Sequence, residues 1–307
     1  MKVNISLNDA FLLENIYSGK LAPVDKLLNK EEIQEVLDNY EYKGKTYSLP
    51  YFIFTDKINS GIIDCYYNDT FIATIKVESQ FKLDFEETAF KIFKTIDKSH
   101  PGVKSLFDNI NKYVLSGTIL KFNLEYIDSI FSTKVEPGNI VFQSRNPPHA
   151  AHEAIVREYA PDLLYTTPYS TTKSTDYPFE LKLKTYEKMK ELYGVKIFVS
   201  TLPRVFAGPR EALQNCLLFQ NLGYKKIIIG RGKNSVGDFY TPTEPYEFCK
   251  KAYEDDKISI EPVWHKIIKA NGVELKGSDI KPKYIDKGIQ PPKEFMNPEI
   301  SKILING

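Results

Sequence analysis

From about residue 136 the chain alternates between two patterns. Short apolar, β-branched runs at 139–143, 162–167, 195–201, 226–230 and 258–263 are separated by stretches of helical spacing at 147–159, 179–193, 209–222 and 244–253. Strands that are apolar on both faces, each followed by a helix, predict a parallel, doubly wound sheet. The first 135 residues follow a different rule. They begin with a helical pattern, continue with strand-like runs at 47–55, 61–67 and 70–77, and then show a helix pattern at 86–96. A stretch rich in β-branched and aromatic residues at 113–127 is broken by Gly117, as a turn or bulge would break it. This is an α+β unit, joined to the rest through the linker-like Glu136-Pro137-Gly138. After His265 the chain reads as a short appendage with a helix near 298–304. The predicted organisation is therefore 1–135, 136–265 and 266–307, an α/β class chain whose first unit is α+β.

Composition narrows the class. Hydrophobic residues make up 42% of the 307 and charged residues 26%, a globular mixture with no apolar run of the ~18 residues a membrane span needs. The 41 Lys and Arg are balanced by 40 Asp and Glu, for a net charge of +1. No global field then draws in nucleic acid or anionic lipid, so neither is an expected partner and any anion must be caught locally. Cys65, Cys216 and Cys249 lack CxxC spacing, which argues against a disulfide framework or a zinc knuckle and fits a reducing cytoplasm. Charges in the first residues come too early for a secretory signal. More telling is arginine: only five of the basic residues are Arg, and all lie between Arg145 and Arg231. Where lysine serves as the ordinary surface cation, arginine is kept for planar, bidentate recognition of an oxyanion.

Ligands of open parallel sheets bind beyond the carboxyl ends of the strands. Four such segments stand out: Gln143-Ser-Arg-Asn-Pro-Pro-His-Ala-Ala-His152, residues 166–176 with Lys173 and Asp176, residues 202–211 with Arg204 and Arg210, and the glycine-rich run from Gly230 to Gly237. In the first, Asn146 suits an N-cap and Pro147 a first helical position, which predicts a helix from about residue 147 with its unpaired N–H groups aimed at an anion. His149 and His152, three apart on that first turn, can donate to phosphate oxygens as charge builds on a leaving group. Gln143 and Arg145, two apart, share one side of the strand end. A metal site using Glu153 lacks further ligands at local spacing, so no metal ligand set is expected. Arg210 is a cation at the positive end of a helix, unfavourable there unless an anion is bound, while Glu211 complements that same dipole. Arg231, set among glycines, is a ligand-facing candidate, whereas Lys173 and Asp176 sit in a Ser/Thr-rich loop that suits either a solvated connection or a lid. In the first unit one cluster bears chemistry, His100-Pro-Gly-Val103.

These residues resemble the ATP sulfurylases, or sulfate adenylyltransferases, of the HxxH nucleotidyltransferase superfamily. The run from Gln143 to His152 matches that family's Gln-x-Arg-Asn-Pro-x-His-x-Ala-His pattern at every defined position. Further likenesses are Ala207-Gly-Pro-Arg-Glu-Ala212, Lys173-x-x-Asp176, Val236-Gly-Asp-Phe-Tyr240, His100-Pro-Gly-Val103, Gly19-x-x-x-Pro23 and Pro291-Pro-x-Glu-Phe295, so that nearly the whole chain is covered. The resemblance implies a PUA-like domain before a Rossmann-like catalytic domain, and the reaction of ATP with sulfate to adenylyl sulfate and pyrophosphate, with Mg²⁺ accompanying the nucleotide. It implies that Gln143, Arg145, Arg231 and Asn234 face the oxyanion. Asn146, His149, His152, Gly230, Lys233 and Val236 would serve the nucleotide, with Lys173, Asp176 and Arg210 as secondary candidates. Small-molecule substrates are the implied partners, and a homo-oligomer stays open.

Departures gather in one segment. Where the family has Gly-Arg-Asp-His-Ala-Gly, this chain has Gly230-Arg-Gly-Lys-Asn-Ser235, and Asn215, Phe219 and Lys281 replace basic residues usual at those places. Two alternatives therefore remain beside sulfate adenylylation. One is the same transfer with another oxyanion, such as phosphate or a phosphonate, or with CTP. The other is a homologue that binds nucleotide or anion without turnover.

Overall fold

The computed structural model describes every residue except 57–59, 133, 137, 170–176, 231–238, 266–268, 271–272 and 275–276. Its second large sheet has five parallel strands in the spatial order Lys196–Ser200, Leu163–Pro168, Ile140–Gln143, Lys226–Ile229 and Glu261–Trp264. The first strand in sequence thus lies at the centre, and the chain winds outwards from it in one direction and then in the other. That reversal leaves a crevice at the carboxyl ends of the central strands. Val141, Leu164, Ile227 and Ile229 point to one face, where the Pro209–Asn221 helix covers them. Ile140, Phe142, Leu163, Tyr165 and Ile228 point to the other and pack with Ile155, Val156 and Tyr186. The period-two alternation of a strand, applied to strands buried on both sides, accounts for the continuous apolar runs.

Chain after residue 284 fills that second core. Ile285, Met296, Ile300 and Leu304 are buried there, and the Pro298–Asn306 helix lies on the Phe179–Tyr193 helix. The stretch that reads as an appendage packs into the core of the parallel-sheet unit.

In the N-terminal unit the sheet order is Lys2–Asn4, Ile62–Tyr67, Thr70–Phe81, Tyr113–Phe122 and Phe54–Thr55, mostly antiparallel. Gly117 faces the irregularity in register at Val77/Ser79, and a Cβ there would stand 2.3 Å from the Lys76 carbonyl oxygen. Two expectations need correction. The run at 47–55 is strand only at Phe54–Thr55. Pro50 cannot donate to a ladder, and the segment's apolar residues are instead buried beside the Pro209–Asn221 helix, where Ser48 Oγ donates to the Arg210 carbonyl at 2.8 Å. The run at 113–127 is strand only to Phe122, after which Asn123 caps a helix, Leu124–Ile130, by accepting the Tyr126 N–H.

Polar groups tie the two units together. Lys20 and Glu14 form a buried ion pair at 2.7 Å, and the neighbouring Asn15 amide donates to Thr201 Oγ1 at 3.0 Å, just past the end of a parallel strand. Arg210 is also here rather than at an anion site, which corrects its expected role. Its guanidinium, 5% exposed, donates to the carbonyls of Val36, Leu37 and Ser48 and lies over the Tyr40 ring. The Val36 and Leu37 carbonyls belong to the last turn of the Lys30–Asn39 helix, the negative end of its dipole. The cation that sits badly on its own helix is satisfied by the far end of another.

Candidate functional site

The central strand ends at Gln143, and the chain turns through Ser144, Arg145 and Asn146 into two prolines. The helix that follows runs Ala150–Tyr159 with His149 as its N-cap, three residues later than expected. The cause is Pro147-Pro148: a residue preceding proline is pushed out of the helical region, so Pro147 cannot open a helix that Pro148 continues. Asn146 consequently caps nothing, and His149 takes over that function, accepting the Ala151 N–H on Nδ1 at 3.3 Å. One helix N–H is also taken from the other side, since Ala150 donates to the Phe295 carbonyl at 2.9 Å.

The shifted start still brings the two histidines together. Their rings stack with centroids 3.9 Å apart and planes 27° apart. Burial, and secondarily His265, pushes His149 down to about 4, and burial with His149 and His265 holds His152 well below its ordinary value. At neutral pH the pair is uncharged. Because Nδ1 of His149 accepts a hydrogen bond, its proton is on Nε2, which makes that nitrogen the donor of the ring.

Ser144 and Tyr186 brace this turn. Ser144 Oγ lies 3.2 Å from His152 Nε2, and the Ser144 N–H donates to the Thr166 carbonyl of the adjacent strand at 2.9 Å. Tyr186, fully buried, donates its hydroxyl to the carbonyl of Ser144 at 2.7 Å and is within 3.1 Å of the carbonyl of Asn146. Its ring stacks on Tyr165, which stacks on Phe142 of the central strand. His265, just past the fifth strand, has Nε2 at 3.4 Å from the Ala151 carbonyl.

The structure therefore collects Gln143, Arg145, Asn146, His149 and His152 on one turn at the crevice. Gly230 ends the neighbouring strand, whose Ile228 pairs with Phe142. Glu153 is turned away, holding Arg157 at 2.8 Å and receiving the Tyr193 hydroxyl. Glu211 is buried beneath its own helix start, where it accepts the N–H groups of Val205 and Ala207. The expectations for Lys173, Asp176, Arg231, Lys233, Asn234 and Val236 fall on residues outside those described. Sequence reasoning missed Ser144, Tyr186 and His265. Of these only His265 had a signal, the strand-end rule applied to the fifth strand; Ser144 occupies an undefined motif position, and Tyr186 lies on a distant element. Phe295, named by the resemblance within Pro291-Pro-x-Glu-Phe295, meets the helix start through its carbonyl.

Comparison with known proteins places the two units in known families. Residues 1–124 match a family model described as a PUA-like domain, and residues 129–307 match the one described as ATP-sulfurylase. The sulfate adenylyltransferase of Pyrococcus abyssi is 28% identical over 99% of this chain and 89% of its own. That of Thermococcus onnurineus is 29% identical over 98% and 89%. Among solved structures, a hexameric APS kinase from Thiobacillus denitrificans superposes with a TM-score of 0.70 at 12% identity, covering 99% of this chain and 62% of that one, a likeness of fold. On the match that spans the sheet, the crevice and the His149-x-x-His152 turn, the chain belongs to the ATP-sulfurylase family.

Proposed function

We propose that the protein is a sulfate adenylyltransferase, moving the adenylyl group of ATP to sulfate. A sulfate oxygen attacks the α-phosphorus, the bond from that phosphorus to the bridging oxygen breaks, and pyrophosphate departs with its electrons. Sulfate has no proton to lose at neutral pH, so no general base is needed. The work is to align two anions and to stabilise a departing one. The observation that carries the reading is the stacked, buried imidazole pair on a helix start beside Gln143 and Arg145 at the crevice.

Arg145, whose planar fork matches a tetrahedral oxyanion, holds the acceptor together with Gln143. His149 offers Nε2–H to the nucleotide phosphates, with Asn146 and His152 beside it. Because burial keeps the imidazoles neutral, they supply directed donors rather than a fixed charge, and their proton affinity rises as negative charge arrives. Among the described residues no three metal-ligating side chains gather. Mg²⁺ in this reading comes bound to the triphosphate, as part of the substrate. The same reading places the enzyme in the cytoplasm, where ATP is available and the three buried cysteines stay reduced.

The test is pyrophosphate release with each of four nucleoside triphosphates, against sulfate, molybdate, phosphate and a phosphonate. ATP with sulfate should be the productive pair. An enzyme that ignores sulfate and turns over another acceptor would replace the acceptor assignment, and no release with any pair would overturn the reading.

A further inference from the structure

The first turn of the Ala150–Tyr159 helix is where the sequence predicts N–H groups open to an anion, yet two of them are committed inside the protein. Ala151 donates to His149 Nδ1 at 3.3 Å, and Ala150 donates at 2.9 Å to the carbonyl of Phe295. Phe295 presents that carbonyl from a tight turn: its own N–H donates to the Pro292 carbonyl at 2.8 Å, and the Met296 N–H donates to the same oxygen at 3.2 Å. Packing seats the turn. Met296, 2% exposed, is buried in the core that also holds Ile155 and Val156 of the Ala150–Tyr159 helix, and the Phe295 ring stands edge-on to Tyr284 with centroids 6.3 Å apart. Asn297 then accepts the Glu299 N–H at 2.9 Å and opens the Pro298–Asn306 helix, which lies on the Phe179–Tyr193 helix.

Three successive peptide groups between the two imidazoles are held in this way. Phe295 holds the first, the His149 ring the second, and His265 the third, its Nε2 being 3.4 Å from the Ala151 carbonyl. A phosphate that took the Ala150 N–H would have to displace a carbonyl from it and leave that carbonyl without its partner. We propose that the turn at 292–296 is a positioning element for the imidazole pair: by occupying the Ala150 N–H with the Phe295 carbonyl, it fixes the helix start and leaves His149 Nε2, rather than the Ala150 N–H, to meet the nucleotide phosphates. The proposal rests on the reading above, in which His149 serves the nucleotide.

Two variants test this role. Ala150→Pro removes the N–H and sets the proline ring against the Phe295 carbonyl. Proline is at home in the first helical position, and His149, at φ −134° and ψ 177°, already has the extended backbone that precedes a proline. Met296→Ala leaves both partners of the bond and empties the seat of the turn. The His149 imidazole, titrated by NMR without substrate, has its midpoint at about 4 in the wild type. That midpoint should rise by about 1 pH unit or more towards 6.5 in Ala150→Pro, and by less in Met296→Ala, as the ring loses its burial beside His152 and His265. With whichever substrates the wild type turns over, kcat should fall about tenfold in Ala150→Pro while the KM for the acceptor stays within about twofold. A titration unmoved in both variants, or a raised midpoint with kcat intact, would overturn the proposal; if Ala150→Pro does not fold, Met296→Ala decides by the same two measurements. A wild type that releases no pyrophosphate with any pair would defeat the reading above, and the titration would still judge the turn.

Discussion

His100 and His149 do the same local work. Each follows an irregular approach, each caps a helix with Nδ1, and each is buried, at 0% and 7% exposure. Their surroundings separate them. His100 is enclosed by the carbon rings of Phe93, Phe239 and Tyr240, which ask only for a flat, well-oriented neighbour. His149 is stacked on a second imidazole with a third nearby, an arrangement that lowers basicity and that any hydrocarbon side chain would fill more cheaply. A costly arrangement at the mouth of a parallel sheet is what a site of chemistry leaves behind. Two histidines beside prolines look alike in sequence; the groups their rings meet tell the one at the mouth of the sheet from the one packed between aromatic rings.

Placing asparagine at each position is the strongest way to break that contrast, because asparagine caps helices well and lacks the ring. His149→Asn and His152→Asn should lower kcat by about 100-fold or more, the scale of losing a preorganised donor to developing charge, with the melting temperature little changed. His100→Asn should lose less than about tenfold in kcat. Equal losses at 100 and 149 would erase the distinction.

Acid sharpens it further. The folded state holds His149 near 4, against about 6.5 when unfolded, so as pH falls below about 6.5 the unfolded chain takes up the proton first. Stability from this group is complete above about 6.5 and is lost as pH drops towards 4. Urea midpoints at pH 7.5 and 5 should therefore lie closer together in His149→Asn than in the wild type. An undiminished gap would mean the imidazole is not held neutral in the fold.

The smallest effect is expected at Tyr186→Phe. The ring and its stack on Tyr165 remain, while the bonds to the Ser144 and Asn146 carbonyls disappear. About 1 kcal/mol of stability and a few-fold in kcat should go, seen in denaturant midpoints and initial rates. A full-strength enzyme would show that the turn carrying Arg145 and Asn146 needs no brace.

Much of this was legible in the chain. The alternating strands and helices after residue 136 could be read because buried parallel strands are apolar throughout and the breaks between them carry Gly, Pro and polar residues. The Phe179–Tyr193 helix has the bounds its spacing predicts. Errors came where tertiary contact overrode a local rule. Apolar spacing at 47–55 recorded burial against another unit rather than a sheet face. Arg210 looked like an anion ligand because its partners, the carbonyls of Val36, Leu37 and Ser48, are more than 160 residues away in sequence. The helix start at His149 could have been found by weighing the effect of Pro148 on Pro147, a rule of neighbours rather than of distance.

The way Arg210 is satisfied bears on how such a chain can be divided or recombined. A cut near residues 124–129, between the two matched segments, would look permissible on a map of modules. It would nevertheless part a 5% exposed guanidinium on one fragment from the three carbonyls it bonds on the other, so that each fragment alone would present to water a surface shaped for the other. The boundary in sequence is not a boundary in charge. A graft of one N-terminal unit onto another's catalytic unit should succeed only where the arginine and the helix end it caps are exchanged together.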